Sequence, residues 1–317
     1  MRLRRMTVLW LMRPNRITRW KETVVRIFVT GASGWIGSAV VPELIGAGHQ
    51  VLGLARSGAT AQAVADMGAD VLRGDLTDAA VLQAGALDSD GVIHLAYEHA
   101  LGQIGGAQTD ASAVSAFTAA LAGTGKPMVI TGATLTTPGR PATEQDEFVP
   151  QGPIAARITN MQTALAAAQR DVRSCLVMIP RSAHGQGERH GFIPQLIRRA
   201  RAEGVSGYIG DGTNRWPAVH VKDAATLYRL AVERAPAGAV LHAVGDEGVA
   251  VREIAEAIGR GLNLPAKSLP ADEFGLPLSA LLGVDMPASS TLTQELLDWK
   301  PTRPGLIEDI EQGHYFV

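Results

Sequence analysis

The chain has 317 residues, of which 46% are hydrophobic and 19% charged, and its formal net charge is -2. That balance excludes a disordered chain and a globally basic nucleic-acid binder, and no apolar run reaches the roughly 18 residues of a membrane-spanning helix. The single cysteine, Cys175, excludes an internal disulfide framework and a cysteine-cluster metal site, and fits a reducing, cytoplasmic setting.

Residues 1–23 hold seven of the basic residues (Arg2, Arg4, Arg5, Arg13, Arg16, Arg19, Lys21) and one acid, Glu22, which leaves 22 basic and 30 acidic residues in the remainder. The segment reads as a basic N-terminal extension outside the fold, with an arginine-rich, transit-like leader as the alternative. From Val25 onward, short apolar runs alternate with helical patterns. The runs at 25–30, 49–55, 70–73, 91–96, 128–131 and 174–179 are candidate strands. Helices are expected between them at 35–47, 59–67, 78–85, 110–122 and 154–169. In the last of these, Ile154, Ile158, Met161, Leu165 and Ala168 share one face. Beyond Pro180 the pattern changes. Glycine, proline and arginine cluster at 181–219, with helical stretches at 192–203, 222–234, 250–262, 271–282 and 289–298 and a strand at 239–243.

This alternation predicts an α/β fold, a Rossmann-type doubly wound parallel sheet with a smaller, mostly helical C-terminal substrate region. The nucleotide-binding part is expected over 24–180, with 219–246 returning to it. Residues 181–317 form the interleaved substrate-binding region.

Thr30-Gly31-Ala32-Ser33-Gly34-Trp35-Ile36-Gly37 stands where the first strand turns into the first helix. Glycines there permit a tight turn and a close approach of the backbone to a pyrophosphate. The helix N-terminus then presents N–H groups and the positive end of its dipole. An acid closing the second strand would accept hydrogen bonds from the ribose hydroxyls and repel a 2′-phosphate. Here that strand ends in Ala55-Arg56-Ser57, with no acid between Glu43 and Asp66. Arg56 offers a guanidinium and Ser57 a hydroxyl to a 2′-phosphate, so NADP is expected in preference to NAD.

The Gly-x-x-Gly-x-x-Gly spacing of this turn resembles the short-chain dehydrogenase/reductase superfamily, in its extended and atypical, epimerase/dehydratase-like branches. The likeness extends over about residues 25–300. It includes Gly74-Asp75-Leu76 after the third strand, Val92 to Ala96 in the fourth, Met178-Ile179-Pro180 with His184-Gly185 after the sixth, and Val219-His220-Val221-Lys222-Asp223 entering a late helix. The resemblance implies a cofactor site formed by Gly31, Ser33, Gly34, Trp35, Ile36, Gly37, Arg56, Ser57, Asp75, Leu76, Ala96 and Pro180.

It also implies a Tyr-x-x-x-Lys pair on the fifth helix, in which the lysine lowers the tyrosine pKa so that it can exchange a proton with the substrate oxygen. That pair is absent from this chain. Four residues after Tyr97, Tyr208 and Tyr228 stand Leu101, Gly212 and Val232, Tyr315 lies too near the end, and no lysine occurs between Lys126 and Lys222. Thr131 or Thr134, after the fifth strand, could hold a substrate oxygen instead. Asn160 could hydrogen-bond a carbonyl, Arg157 could bind a carboxylate or phosphate, and His184 could act as acid or base. Arg181, Arg189 and Arg215 suggest an anionic or strongly polar small-molecule substrate. No metal, nucleic acid or membrane partner is expected, and the protein would be a monomer or homodimer. The expected function is an NADP-dependent oxidoreductase or epimerase/dehydratase-like enzyme. The alternative is a non-catalytic NADP(H)-binding sensor or regulatory protein.

Overall fold

The computed structural model describes residues 24–275 and 278–317, so the basic extension lies outside the described residues. The first half builds β1 (Arg26–Thr30), α1 (Gly37–Gly46), β2 (Gln50–Ala55), α2 (Gly58–Asp66), β3 (Asp70–Arg73), α3 (Ala79–Leu87), β4 (Gly91–His94), α4 (Gly102–Leu121), β5 (Pro127–Ala133), α5 (Ala155–Ala166) and β6 (Arg173–Ile179). After β6 come β7 (Ser182–His184), α6 (Phe192–Glu203), β8 (Ser206–Ile209), β9 (Arg215–His220), α7 (Val221–Arg234) and β10 (Ala239–His242). The chain closes with β11 (Asp246–Ala250), α8 (Val251–Leu262), β12 (Ala266–Leu269), α9 (Leu278–Leu282), α10 (Thr291–Leu297) and α11 (Leu306–Glu311).

Seven strands form one parallel sheet in the order β10-β6-β5-β4-β1-β2-β3. Apolar runs buried on both faces are what such a sheet requires. Phe28 and Val92 look into a layer with Phe117 of α4 and Ile158 and Met161 of α5. Ile27, Val29 and Ile93 look the other way, onto Val40, Val41 and Leu44 of α1 and Leu227 and Tyr228 of α7. A separate apolar cluster around Trp216, Ile254, Leu282 and Ile310 supports the C-terminal lobe. No helix among the described residues is long and apolar enough to cross a membrane.

Several details depart from the expected pattern. α4 begins at Gly102, eight residues before the expected 110, in spite of Gly102, Gly105 and Gly106. Packing outweighs poor propensity there: a Cβ on Gly106 would stand 2.8 Å from Cε1 of Tyr97, so the glycine is what lets the helix approach that ring. The helix expected at 271–282 is cut to α9, because Gly275 takes φ +65 after a single tight turn at Ala271–Phe274. The lobe after Pro180 also carries short strands that its glycine-rich sequence did not announce. β7, β9 and β11 form a three-stranded sheet, and β8 pairs with β12.

Candidate functional site

The strand order reverses between β1 and β4, and ligands of open parallel sheets bind outside the carboxyl ends of the strands at such a point. A cleft of about 720 Å³ opens there. The turn from β1 to α1 forms its floor. Gly31 adopts φ +69, and a Cβ on it would stand 2.8 Å from the Ala96 amide nitrogen. A Cβ on Gly37 would overlap the Gly31 carbonyl oxygen and come within 2.6 Å of the Ala32 oxygen. No side chain caps α1, and Trp35, Ile36, Gly37 and Ser38 line the cleft, so an anion placed there meets the positive end of the helix. The Trp35 indole donates to the Ala183 carbonyl at 2.6 Å, tying the turn to β7. A cradle that has no room for Cβ atoms and opens on a helix N-terminus fits a dinucleotide pyrophosphate.

Of the expected cofactor residues, Gly31, Ser33, Gly34, Trp35, Ile36, Gly37, Arg56, Asp75, Leu76 and Ala96 line this cleft. Ser57 and Pro180 do not. Ser57 is occupied as the N-cap of α2 in a reciprocal capping box with Thr60. Arg56 reaches across to Glu98, with Nη1 2.9 Å from the carboxylate, and remains exposed. Asp75 accepts from the Thr77 amide and hydroxyl, and those bonds hold its carboxyl below its ordinary pKa, with Arg56 adding to the effect against burial.

The four expected catalytic residues are not brought together. Thr131 donates to the His94 carbonyl at 2.8 Å and meets the Tyr228 hydroxyl at 2.8 Å, so its hydrogen-bonding capacity is taken up by the protein. Thr134 is buried at the end of β5, and its hydroxyl has no partner among the described residues. Asn160 points inward, not at the cleft, and donates to the Ala107 carbonyl and to Asp110, each at 2.7 Å. His184 is fully buried within β7, where Nδ1 lies 2.9 Å from Asp309 and the ring stands edge-on to His220. A strand rather than an open loop carries His184, which removes it from the cleft. Arg215, expected at the mouth, is clamped on Asp285 through Nε and Nη2.

Behind the cleft wall lies a buried acid cluster. The loop from Gly187 to Gly191 lines the cleft, but the Glu188 side chain turns inward and accepts from the Tyr315 hydroxyl at 2.8 Å. A Cβ on Gly191 would overlap that carboxylate. Burial raises the Glu188 pKa from 4.5 to about 7; the hydrogen bond from Tyr315 opposes the shift and the charge of Asp309 adds to it. A raised carboxyl favours the fold while neutral. Its contribution is intact below pH 4.5 and is lost as pH rises through about 7. Glu188→Gln is therefore expected to stabilise the protein at pH 8 by on the order of 3 kcal/mol and to leave it unchanged at pH 4. Urea unfolding at the two pH values checks this, and equal shifts at both would refute it.

Beyond Ala96, the segment after β4 holds residues that the sequence alone does not single out as site residues. Tyr97, Glu98 and His99 all line the cleft. The Arg157 guanidinium lies 4.4 Å above the centre of the Tyr97 ring, and the His99 ring is 4.9 Å away on the same residue. Their place directly after the carboxyl end of a central parallel strand was the available signal.

The sequence profile of the NAD dependent epimerase/dehydratase family matches residues 27–244. An uncharacterized protein of Schizosaccharomyces pombe is 43% identical over 299 residues, covering 92% of this chain and all of that one. A UDP-glucose 4-epimerase of Streptomyces lividans is 27% identical, covering 91% of this chain and 96% of the epimerase. The solved structure of MoeE5 in complex with UDP-glucuronic acid and NAD superposes with a TM-score of 0.73 at 23% identity, covering 91% of this chain and 97% of its own.

Proposed function

The chain belongs to the NAD dependent epimerase/dehydratase family, and from that premise we propose that it is an NAD(P)-dependent oxidoreductase or epimerase/dehydratase-like enzyme acting on a small polar carbonyl or hydroxyl compound. The cleft carries this reading: a glycine turn fit for a pyrophosphate at the topological switch point continues into charged and aromatic side chains from the segment after β4 and the loop before α6. A nicotinamide bound there supplies or accepts hydride. Thr134, just past β5, keeps an unpartnered hydroxyl among the described residues, but that hydroxyl is buried and Thr134 does not line the cleft. An anionic or strongly polar substrate is favoured by Arg189 on the cleft wall and by Arg181. The Arg181 guanidinium rests on the Met286 sulfur and over the rings of Phe192 and Trp216, with no carboxylate partner among the described residues. The lone buried thiol of Cys175 suits a cytoplasmic setting.

We assign NADP ahead of NAD because Arg56 offers a charged fork at the adenosine end. Glu98 supports the opposite reading, since a carboxylate facing Arg56 would repel a 2′-phosphate. The unaltered protein is expected to bind NADPH about tenfold more tightly than NADH, and Arg56→Ala to reduce that gap to about twofold. Equal affinities in the unaltered protein would favour NAD. The reaction is tested by following NADPH oxidation against hexanal, benzaldehyde, pyruvate and UDP-4-keto-glucose, the last chosen from the epimerase relative. Turnover with one of them is expected. Tight NADPH binding with no turnover supports the second reading, a non-catalytic NADP(H)-binding sensor, which the inward-facing hydrogen bonds of Thr131, Asn160 and His184 favour.

A further inference from the structure

We propose that Tyr97 is the proton donor of the cleft and that Arg157, contributed by α5, is the cation that positions it. This rests on the reductase reading above. Reducing a carbonyl places two electrons on carbon, as hydride, and a proton on oxygen. The reduced nicotinamide dinucleotide is the reductant and leaves oxidised. The proton has to come from the protein or from water.

The cleft wall narrows the choice. Asp75 is held ionised by Thr77, and Glu98 is occupied by Arg56. Arg56 and Arg189 are guanidinium groups, suited to binding anions rather than to donating a proton. His190 is exposed at the rim. Burial lowers the pKa of His99, and the charge of Arg157 lowers it further, so this ring is neutral when a proton is needed. The other three tyrosines stand elsewhere. Tyr228 is buried against Thr131, Tyr315 bonds Glu188 behind the wall, and Tyr208 lies under Arg252 in the C-terminal lobe. Tyr97 is the one phenol that lines the cleft among the described residues.

Its setting suits proton donation. The ring is half-buried between Gly106 of α4 and the Arg157 guanidinium. Its hydroxyl donates to the Gln103 carbonyl at a long 3.3 Å, a bond that a substrate oxygen can replace at little cost. As the proton moves, the Tyr97 O–H bond breaks and an O–H bond forms on the substrate oxygen. The phenolate left behind lies beside a fixed positive charge and regains its proton from water. The charged groups facing the ring are Arg157 from α5, Asp110 from α4 and the neighbouring His99. Burial raises the Tyr97 pKa, Arg157 opposes that rise and Asp110 adds to it, so the phenol stays protonated through neutral pH. Arg157 cannot give up a proton itself, and acts only through Tyr97.

The test uses the full chain. Tyr97→Phe is expected to keep the NADPH dissociation constant within about threefold and to lower kcat with hexanal, benzaldehyde or pyruvate by about 10²–10⁴-fold, with loss of the solvent isotope effect. In the cofactor-free protein, the tyrosinate absorbance lost in Tyr97→Phe reports the ionisation of this residue. Arg157→Gln should move that midpoint to higher pH, and Arg157→Lys should bring it back. Turnover by Tyr97→Phe within threefold of the unaltered protein overturns the proposal and leaves the reductase reading standing. A midpoint unmoved in Arg157→Gln overturns the role of Arg157. An unaltered protein that reduces neither these three carbonyls nor UDP-4-keto-glucose overturns both the proposal and the reading beneath it.

Discussion

Gly37→Ala is expected to weaken NADPH binding by more than about 100-fold and to lower the melting temperature. The added Cβ would overlap the Gly31 carbonyl oxygen and crowd the Ala32 carbonyl, and both are backbone atoms of the turn proposed to cradle the pyrophosphate. No side chain can rotate away, so the turn itself has to shift. Overpacking of this kind costs about 1–3 kcal/mol in stability. The binding loss is larger, because the displaced atoms are the ones the phosphates would approach. Gly58→Ala, in the first turn of α2 with open space around it, is the matched control and should bind as the unaltered protein does. Fluorescence titration with NADPH reads both variants, and Gly37→Ala binding within threefold of the unaltered protein would show that the turn is not the cofactor cradle.

Asp110→Ala is the second substitution with a large expected effect. A buried chain of hydrogen bonds runs from the cleft wall through the core. The Ala96 amide donates to Thr30, whose hydroxyl lies 2.6 Å from His94 Nδ1. His94 Nε2 donates to Asp110 at 3.2 Å, and Asn160 donates to the other Asp110 oxygen. Removing the carboxylate leaves His94 and Asn160 buried and short of an acceptor, at a cost of about 3–5 kcal/mol. Urea unfolding at neutral pH measures it, and a loss under about 1 kcal/mol would mean that water or a rearranged side chain satisfies the site. The same carboxylate contributes a pH dependence. Burial acts to raise the Asp110 pKa, but the hydrogen bond and charge of His94, the Asn160 amide and the charge of Arg157 outweigh it and hold the group below its ordinary value. A lowered carboxyl stabilises the fold above its unfolded pKa and loses that contribution as pH falls through the folded one. The unaltered protein should therefore lose stability below about pH 4 more steeply than Asp110→Asn.

The network also shows why the positions of these polar side chains are not legible in the sequence. His94 falls in an apolar strand and Asn160 beside the apolar stripe of α5, and each sequence context is compatible with either a core or a site role. Their partners, Thr30 and Asp110, are 64 and 16 residues from His94, and Asp110 is 50 from Asn160. Nothing local announces a pairing at such separations. The fate of His184 depends in the same way on Asp309, 125 residues further along the chain.

What the sequence determined by itself rests on short-range physics. Period-two and period-3.6 apolar patterns, breaks at glycine and proline, and three glycines at a strand-to-helix turn specify the parallel sheet and the glycine turn at its carboxyl end, because each acts through neighbours within a few residues. It also determined that no Tyr-x-x-x-Lys pair exists. The tertiary structure alone decided which polar side chains face the cleft. It turned Asn160 and His184 inward, buried the Thr134 hydroxyl away from the cleft, and set Tyr97 under Arg157 from an element 60 residues away. A polar side chain in a core goes where its hydrogen bonds can be completed, and that depends on partners supplied by distant segments once the sheet has brought them together.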